Sequence, residues 1–175
     1  MANPTLFQLA TTTVGSGGVS SVTFSAIPQV YTDLKILISA KSDYASAHMN
    51  MTVAYNSITS GYSYINLNGD GSSASSGSNI VGTSHYYIGE MTGTSGTANS
   101  FTNGEIYIPN YTSANYKSAS VDMVNESNNA VAYAYASLDA ALVSNTASIT
   151  SITITPGAGN FVQYSTFYLY GIKNS

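Results

Sequence analysis

The stretch that decides the fold class is Thr32-Asp33-Leu34-Lys35-Ile36-Leu37-Ile38-Ser39-Ala40-Lys41. On one face of an extended chain, every second residue is apolar: Leu34, Ile36, Ile38 and Ala40. The other face carries mostly polar side chains, with Leu37 as the exception. Alternation with a period of two is typical of a strand that buries one face in a core. We therefore predict a strand over residues 32–41.

The same alternation recurs along the chain and predicts about ten short strands. Other examples are Val22 and Phe24, Met49 to Val53, Tyr62 and Tyr64, Ile106 and Ile108, Val121 and Met123, Ile152 and Ile154, and Phe167 and Leu169. Turn-forming clusters such as Asn68-Gly69-Asp70-Gly71 separate the strands. Spacings of roughly 8–12 residues between turns favour an all-β fold. We predict one antiparallel β-sandwich over residues 1–175, jelly-roll-like, with residues 1–15 as an N-terminal arm or first strand.

Two segments give weaker patterns. The Ser- and Gly-rich stretch from Gly69 to Ser78 is interpreted as an exposed loop. Between residues 131 and 142, the spacing Val131, Tyr135, Leu138, Leu142 fits one face of a helix, whereas Val131, Tyr133 and Tyr135 alternate as in a strand. We favour a strand over 130–137, followed by a loop or a short helical turn.

Charged residues make up 7% of the 175 residues, against a usual share of about 25%. The chain has 4 Lys, no Arg and a net charge of −4, so a cationic groove for a nucleic acid is not expected. It has no Cys for redox chemistry or a zinc-thiolate site. The N-terminus lacks the basic and apolar regions of a signal peptide, and no apolar run reaches the roughly 18 residues of a membrane span. We expect a soluble protein whose surface consists mainly of hydroxyl and amide groups.

Few residues suggest catalysis. Asp43 lies five positions from His48, and Glu90 lies five positions from His85; this odd offset places each carboxylate on the opposite strand face from its histidine. A catalytic pair is therefore not predicted, and both histidines are interpreted as hydrogen-bonded sheet residues. No spacing singles out two carboxylates for glycoside hydrolysis among Asp33, Asp43, Asp70, Asp122, Asp139, Glu90, Glu105 and Glu126.

Cofactor and metal motifs are equally sparse. The segment from Asn66 to Gly71 has oxygen ligands at alternate positions, as calcium loops do, but serines and an alanine follow it where a second acidic ligand is needed. A simple turn is the preferred interpretation. The glycines never occur in a phosphate-binding order. We expect no cofactor, no metal and no enzymatic activity.

The tyrosines are the residues most open to a functional interpretation. The chain has 15, and several alternate along predicted strands. Tyrosine offers a large, stiff, amphipathic surface that suits protein interfaces and sugar stacking. If Phe167 and Leu169 face the core, the tyrosines between and after them face outward. Candidate interface or glycan-facing residues are Tyr168, Tyr170, Tyr133 and Tyr135.

Several segments resemble β-sandwich virion proteins of tailed bacteriophages. They are Tyr31 to Ile36, Ile106 to Tyr111, Ser144 to Ile154, Gly159 to Ser165, and Leu169 to Ile172. One departure is Tyr164, at a position where the resemblance implies Gly before Ser165. Such proteins are similar to jelly-roll capsid decoration (cement) proteins and to receptor-facing modules of tail fibres.

The resemblance implies a virion component, assembled in the host bacterial cytoplasm. The chain shows neither coiled-coil heptads nor a β-helical repeat, so it lacks the stalk of a complete fibre. We therefore expect a non-enzymatic capsid decoration protein that bridges capsomers, with the major capsid protein and other virion proteins as partners, and a symmetric homo-oligomer. The alternative is a tail-fibre or receptor-binding module that recognises a host-surface glycan.

Overall fold

The computed structural model describes residues 5–126 and 134–173. Within these ranges the chain forms β1 (Leu6–Thr13), β2 (Val22–Phe24), β3 (Asp33–Ala40), β4 (His48–Tyr55), β5 (Tyr62–Gly69), β6 (Ala74–Thr83), β7 (Tyr86–Thr92), β8 (Thr102–Ile108), β9 (Lys117–Asn125), β10 (Tyr135–Val143), β11 (Ile152–Pro156) and β12 (Thr166–Ile172). The predicted first strand within residues 1–15 is β1. No helix in the described ranges is long and apolar enough to cross a membrane.

The strands form two sheets in which all neighbours run antiparallel. The eight-stranded sheet has the order β1-β12-β3-β8-β9-β10-β5-β6, and the four-stranded sheet has the order β2-β11-β4-β7. The core lies between them. The predicted all-β, antiparallel sandwich is therefore confirmed, while its jelly-roll character stays a prediction.

The alternation that predicted β3 is also what builds the core. Leu34 and Ile36 are fully buried, whereas Lys35 and Leu37 between and after them are half-buried on the other face. Burying one such aliphatic side chain contributes about 1.5–3 kcal/mol. From β12, Phe167 adds an aromatic ring whose centroid lies 4.8 Å from that of Phe161. Every second residue of the central strands thus faces the four-stranded sheet.

The region around β10 differs from its prediction. The strand continues to Val143, so the loop or helical turn expected after residue 137 does not form. Alternate residues from Ser137 to Val143 point inward, and Leu138 and Leu142 point outward. The helix-like spacing arose because two leucines lie on the outer face, where the simple rule expects polar residues. The part of the predicted strand before residue 134 lies outside the described residues.

The Ser- and Gly-rich stretch also differs from its prediction. Only its beginning is a turn, in which the Asp70 carboxylate accepts hydrogen bonds from the backbone N–H groups of Ser72 and Ser73 at 2.8 and 2.7 Å. From Ala74 onward the chain forms β6, which pairs with β5. The serines and glycine have low strand propensity, but the backbone hydrogen bonds to β5 hold them extended. The chain does turn here, but at Asp70 to Ser73, because Asn68 and Gly69 of the predicted turn belong to β5.

Tyr164 occupies the turn that the resemblance singled out. The Ser165 backbone N–H donates to the Val162 carbonyl at 3.1 Å, which closes a four-residue turn. Tyr164 has a φ of 73°, in the left-handed region that favours glycine, and its side chain is 69% exposed. The expected turn therefore forms with tyrosine in a conformation that costs a non-glycine residue about 1–2 kcal/mol.

Candidate functional site: the outer face of the eight-stranded sheet

One face of the eight-stranded sheet packs against the four-stranded sheet, and the opposite face, here called the outer face, does not. The strand registers align its side chains in rows across all eight strands. One row is Gln8, Tyr170, Lys35, Tyr107, Ser120, Ala140, Ile65 and Ser78. The next is Thr11, Tyr168, Leu37, Glu105, Asp122, Leu138, Leu67 and Ser76.

Two of the predicted tyrosines belong to these rows. Phe167 and Leu169 are buried, so Tyr168 and Tyr170 face outward as the alternation predicts. Both are half-buried. Tyr170 lies between Gln8 and Lys35 in its row, so an aromatic surface adjoins side chains that can form hydrogen bonds.

Charge occupies the middle of the outer face. The Lys35 Nζ and Glu105 Oε2 atoms lie 2.6 Å apart, and Asp122 is the register partner of Glu105 on β9. An exposed ion pair of this kind contributes at most about 1 kcal/mol. Lys35, Glu105 and Asp122, here called the charged strip, leave the outer face weakly acidic. The charged strip lies between Tyr168 and Tyr170 on one side and the strands β10 and β5 on the other.

Beyond the strip, the outer face becomes apolar. Ile65, Leu67 and Leu138 are 61%, 58% and 57% exposed, and Leu142 and Ala140 extend the same surface. We call these five residues of β5 and β10 the apolar patch. A shallow depression of about 260 Å³ between the two strands is lined by Ile65, Ala140 and Leu142. Contiguous exposed apolar surface on a folded protein marks an interaction site more often than scattered single residues do.

Sequence reasoning missed this patch. The spacing of Leu138 and Leu142 fits a helical face, and the alternation does not single out Ile65 and Leu67. A signal did exist, because Ile65 and Leu67 are out of phase with Tyr62 and the other inward residues of β5. Two successive large aliphatic residues on the solvent side of a strand predict an interface.

Of the other two tyrosine candidates, Tyr135 does not join the outer face. Tyr135 begins β10 on the inner side of the sheet, where its ring centroid lies 4.8 Å from that of His48. It is half-buried. Tyr133 lies outside the described residues. The four tyrosines therefore do not form one surface.

Tyr135 instead borders a polar cluster between the sheets. His48 Nδ1 lies 3.1 Å from Glu90 Oε2, and the Tyr87 hydroxyl donates to Glu90 Oε1 at 2.9 Å. Burial and the adjacent Glu90 carboxylate raise the pKa of Tyr87. Neither same-strand pairing considered from the sequence occurs. The Asp43 carboxylate accepts hydrogen bonds from Asn160, and His48 finds its carboxylate on the neighbouring strand.

A bulge in β7 brings the Tyr87 hydroxyl to Glu90. Asn50 and Thr52 on β4, two positions apart, face Glu90 and Tyr87, three positions apart on β7. The additional residue lets Tyr87 and Glu90 meet despite an odd spacing. Gly89 in the bulge has a φ of 95°, and a Cβ there would lie 2.8 Å from the Met123 Cβ. Only glycine fits both the conformation and the space.

Asp139 lies deeper in the same cluster. Its Oδ2 accepts a hydrogen bond from the Ser137 hydroxyl at 2.6 Å, and its Oδ1 is buried without a hydrogen-bond partner. Burial raises the pKa of Asp139 to about 6, and the charge of Glu90 adds to the effect. Asp139 is 1% exposed. Two coupled carboxylates are thus brought together, but the one with the raised pKa cannot contact a substrate in this conformation.

The described residues contain no cluster of potential metal ligands. Among residues 5–126 and 134–173, no group of three or more His, Cys, Asp or Glu side chains could hold a metal ion.

Two of the four lysines are buried at loops: the Nζ atoms of Lys41 and Lys117 donate to the carbonyls of Thr97 and Ser113 at 2.9 and 2.7 Å. Burial lowers the pKa of both lysines. These cations tie loops to the sandwich.

No protein-family model matches the chain, and no curated protein or solved structure does so either.

Proposed function

We propose that this chain is a non-enzymatic structural protein that binds other protein subunits through the outer face of its eight-stranded sheet. The observation that carries the proposal is the apolar patch. A partner that covers Leu67 and Leu138 removes apolar surface from water, and each fully buried leucine contributes about 1.5–3 kcal/mol. Low surface charge suits such a contact, since little charge must be desolvated.

In the virion setting that the sequence resemblance implies, the sandwich is a jelly-roll-like decoration protein and the partner is the major capsid protein. Bridging two adjacent capsomers stabilises the shell without a chemical step, because opening the shell then also breaks the bridging contacts.

Binding to expanded capsids that lack the protein tests this proposal. The wild-type chain should bind and raise the thermal stability of the shell, and Leu67→Ser with Leu138→Ser should abolish both effects. Val30→Ser is the matched control, because Val30 is 71% exposed and lies outside the apolar patch. Equal capsid binding by the double variant and the control would overturn the role of the patch.

A glycan-binding module is the second candidate, favoured by Tyr168 and Tyr170. They follow one another on the outer face of β12 beside Gln8 and Lys35, so sugar stacking and hydrogen bonding are available together. Tyr168→Ala with Tyr170→Ala should abolish binding to host-surface glycans and leave capsid binding intact. This candidate would be excluded if the double tyrosine variant lost capsid binding and the wild-type chain bound no glycan.

A further inference from the structure

We propose that β6 pairs antiparallel with β6 of a second copy of this chain, which joins the two eight-stranded sheets into one. The edge strand β6 lies next to β5, which carries part of the apolar patch. Strand β6 ends the eight-stranded sheet and pairs with β5 on one side. Within residues 5–126 and 134–173 no strand pairs with its other side, which presents a row of backbone N–H and C=O groups that a further strand can bind.

The regular part of this edge is long enough to accept a strand. Residues Ala74 to Asn79 pair with Gly69 to Tyr64 without interruption, and Ala74 to Ser78 are exposed on both faces. Six residues approach the usual length of a strand in globular proteins, about five to six residues. The register shift near Tyr62 limits the regular edge to these residues.

Each sheet end has a feature that hinders edge pairing, but in β6 the register shift lies beyond Asn79 and leaves six regular residues. β1 has a register shift between Gln8 and Ala10, β7 has its bulge at Gly89, and β2 is only 3 residues long. Proline, charge and bulges are the usual protection. Residues 71–89 contain no Pro, Asp, Glu, Lys or Arg. Among the described edge strands, β6 therefore has the longest regular run, and that run carries neither charge nor proline.

The lack of charge favours a second copy as the partner. A net charge of −4 opposes self-association in general, but two copies of residues 71–89 bring no like charges together. The side chains of Ser76 and Ser78 are small, so two such strands can approach without steric conflict. An antiparallel pair of identical strands has a two-fold axis normal to the sheet, which is the symmetry of a closed dimer.

The two-fold axis also determines where the two apolar patches lie in the dimer. An axis normal to the sheet keeps both outer faces on the same side. The order across the junction becomes β10-β5-β6 followed by the same strands of the second copy in reverse. With neighbouring strands about 4.8 Å apart, the two β5 strands lie about 14 Å from each other. The two patches then form one bivalent surface, separated by two serine-lined strands.

The oligomeric state and the hydrogen exchange of β6 test the proposal together. Sedimentation of the wild-type chain should show a dimer, and the backbone N–H groups of Ala74 to Asn79 should exchange more slowly as concentration rises. Ser76→Lys with Ser78→Lys should yield a monomer, because four lysines would meet in the paired strands. Ser118→Lys with Ser120→Lys is the matched control on the outer face of central strand β9, and it should remain dimeric.

Two results would overturn the proposal. One is a wild-type chain that stays monomeric at about 1 mM. The other is a dimer whose β6 exchange does not depend on concentration, or which the Ser76→Lys and Ser78→Lys variant still forms. Failure of edge pairing is distinguishable from failure of the proposed function, since the Leu67→Ser and Leu138→Ser variant should dimerise normally while losing capsid binding.

Discussion

Leu67 on β5 lies directly opposite Leu138 on β10, and each is more than half exposed to solvent. Cross-strand apolar pairs are usually found on the buried face of a sheet. Here the pair lies on the outer face, while the inward residues of the same strands include Asn66 and Asp139. At these positions the two strands show an inverted pattern, with aliphatic residues toward solvent and polar residues toward the interior.

The exposed leucine pair should contribute little to folding. We expect Leu67→Ser with Leu138→Ser to lower the free energy of unfolding by about 1 kcal/mol or less, since a cross-strand pair on a sheet contributes about 0.2–1 kcal/mol. Ile36→Ala, at a fully buried position, should cost about 2–5 kcal/mol. Urea titrations of both variants measure the difference. A large loss in the leucine variant would show that the patch is already packed in the isolated chain.

Asp139 should make the protein less stable as the pH rises from about 4 to 6. Its pKa is raised from 3.8 to about 6, so in this window the folded chain keeps a proton that the unfolded chain has lost. The unfolded state therefore gains stability, by up to about 3 kcal/mol when the window has been crossed. At pH values below 3.8 and above about 6, the contribution of Asp139 to the free energy of unfolding is constant.

Asp139→Asn should abolish that loss and raise the free energy of unfolding at pH 7 relative to the wild type. Asp122→Asn on the exposed face of β9 is the matched control for the change in charge. Thermal unfolding at several pH values provides the measurement. An advantage of Asp139→Asn that does not grow between pH 4 and 6 would contradict the assignment. Asp43 acts in the opposite direction, because hydrogen bonds from Asn160 lower its pKa, and its contribution is lost below pH 4.

Gly89 should be intolerant of any side chain. Gly89→Ala introduces a Cβ 2.8 Å from the Met123 Cβ at a φ of 95°, so strain and overpacking add to about 2–4 kcal/mol of lost stability. Gly69→Ala is the control, since a Cβ there meets no heavy atom within 4 Å. Equal unfolding midpoints for the two variants would show that the β7 bulge can rearrange.

Tyr164→Gly should stabilise the chain by about 0.5–1 kcal/mol. Relief of the left-handed strain exceeds the entropy that glycine adds to the unfolded state. The exposed ring loses little packing. Tyr164→Ala retains a Cβ at the same φ of 73° and should give no gain. Calorimetry of the two variants separates backbone strain from side-chain effects, and a stabilised alanine variant would argue against strain.

Local alternation was sufficient to predict the faces of β3 and β12. Leu34 and Ile36 of β3 and Phe167 and Leu169 of β12 lie inward, so the period of two reports burial directly in these strands. The same rule gave the wrong end for β10, because Leu138 and Leu142 face solvent. It also placed Ala74 to Ser78 in a loop, since nothing in serine or glycine side chains indicates that β5 will pair with them.

The residues alone determined the fold class, the scarcity of charge and the inward or outward direction of most side chains, because these depend on composition and on neighbours within one strand. Tertiary structure decided which strands became partners. His48 meets Glu90, which lies 42 residues along the chain, across the β4–β7 pair, and Leu67 meets Leu138 across two strands far apart in the chain. Such encounters depend on strand order and register, which the packing of both sheets determines together.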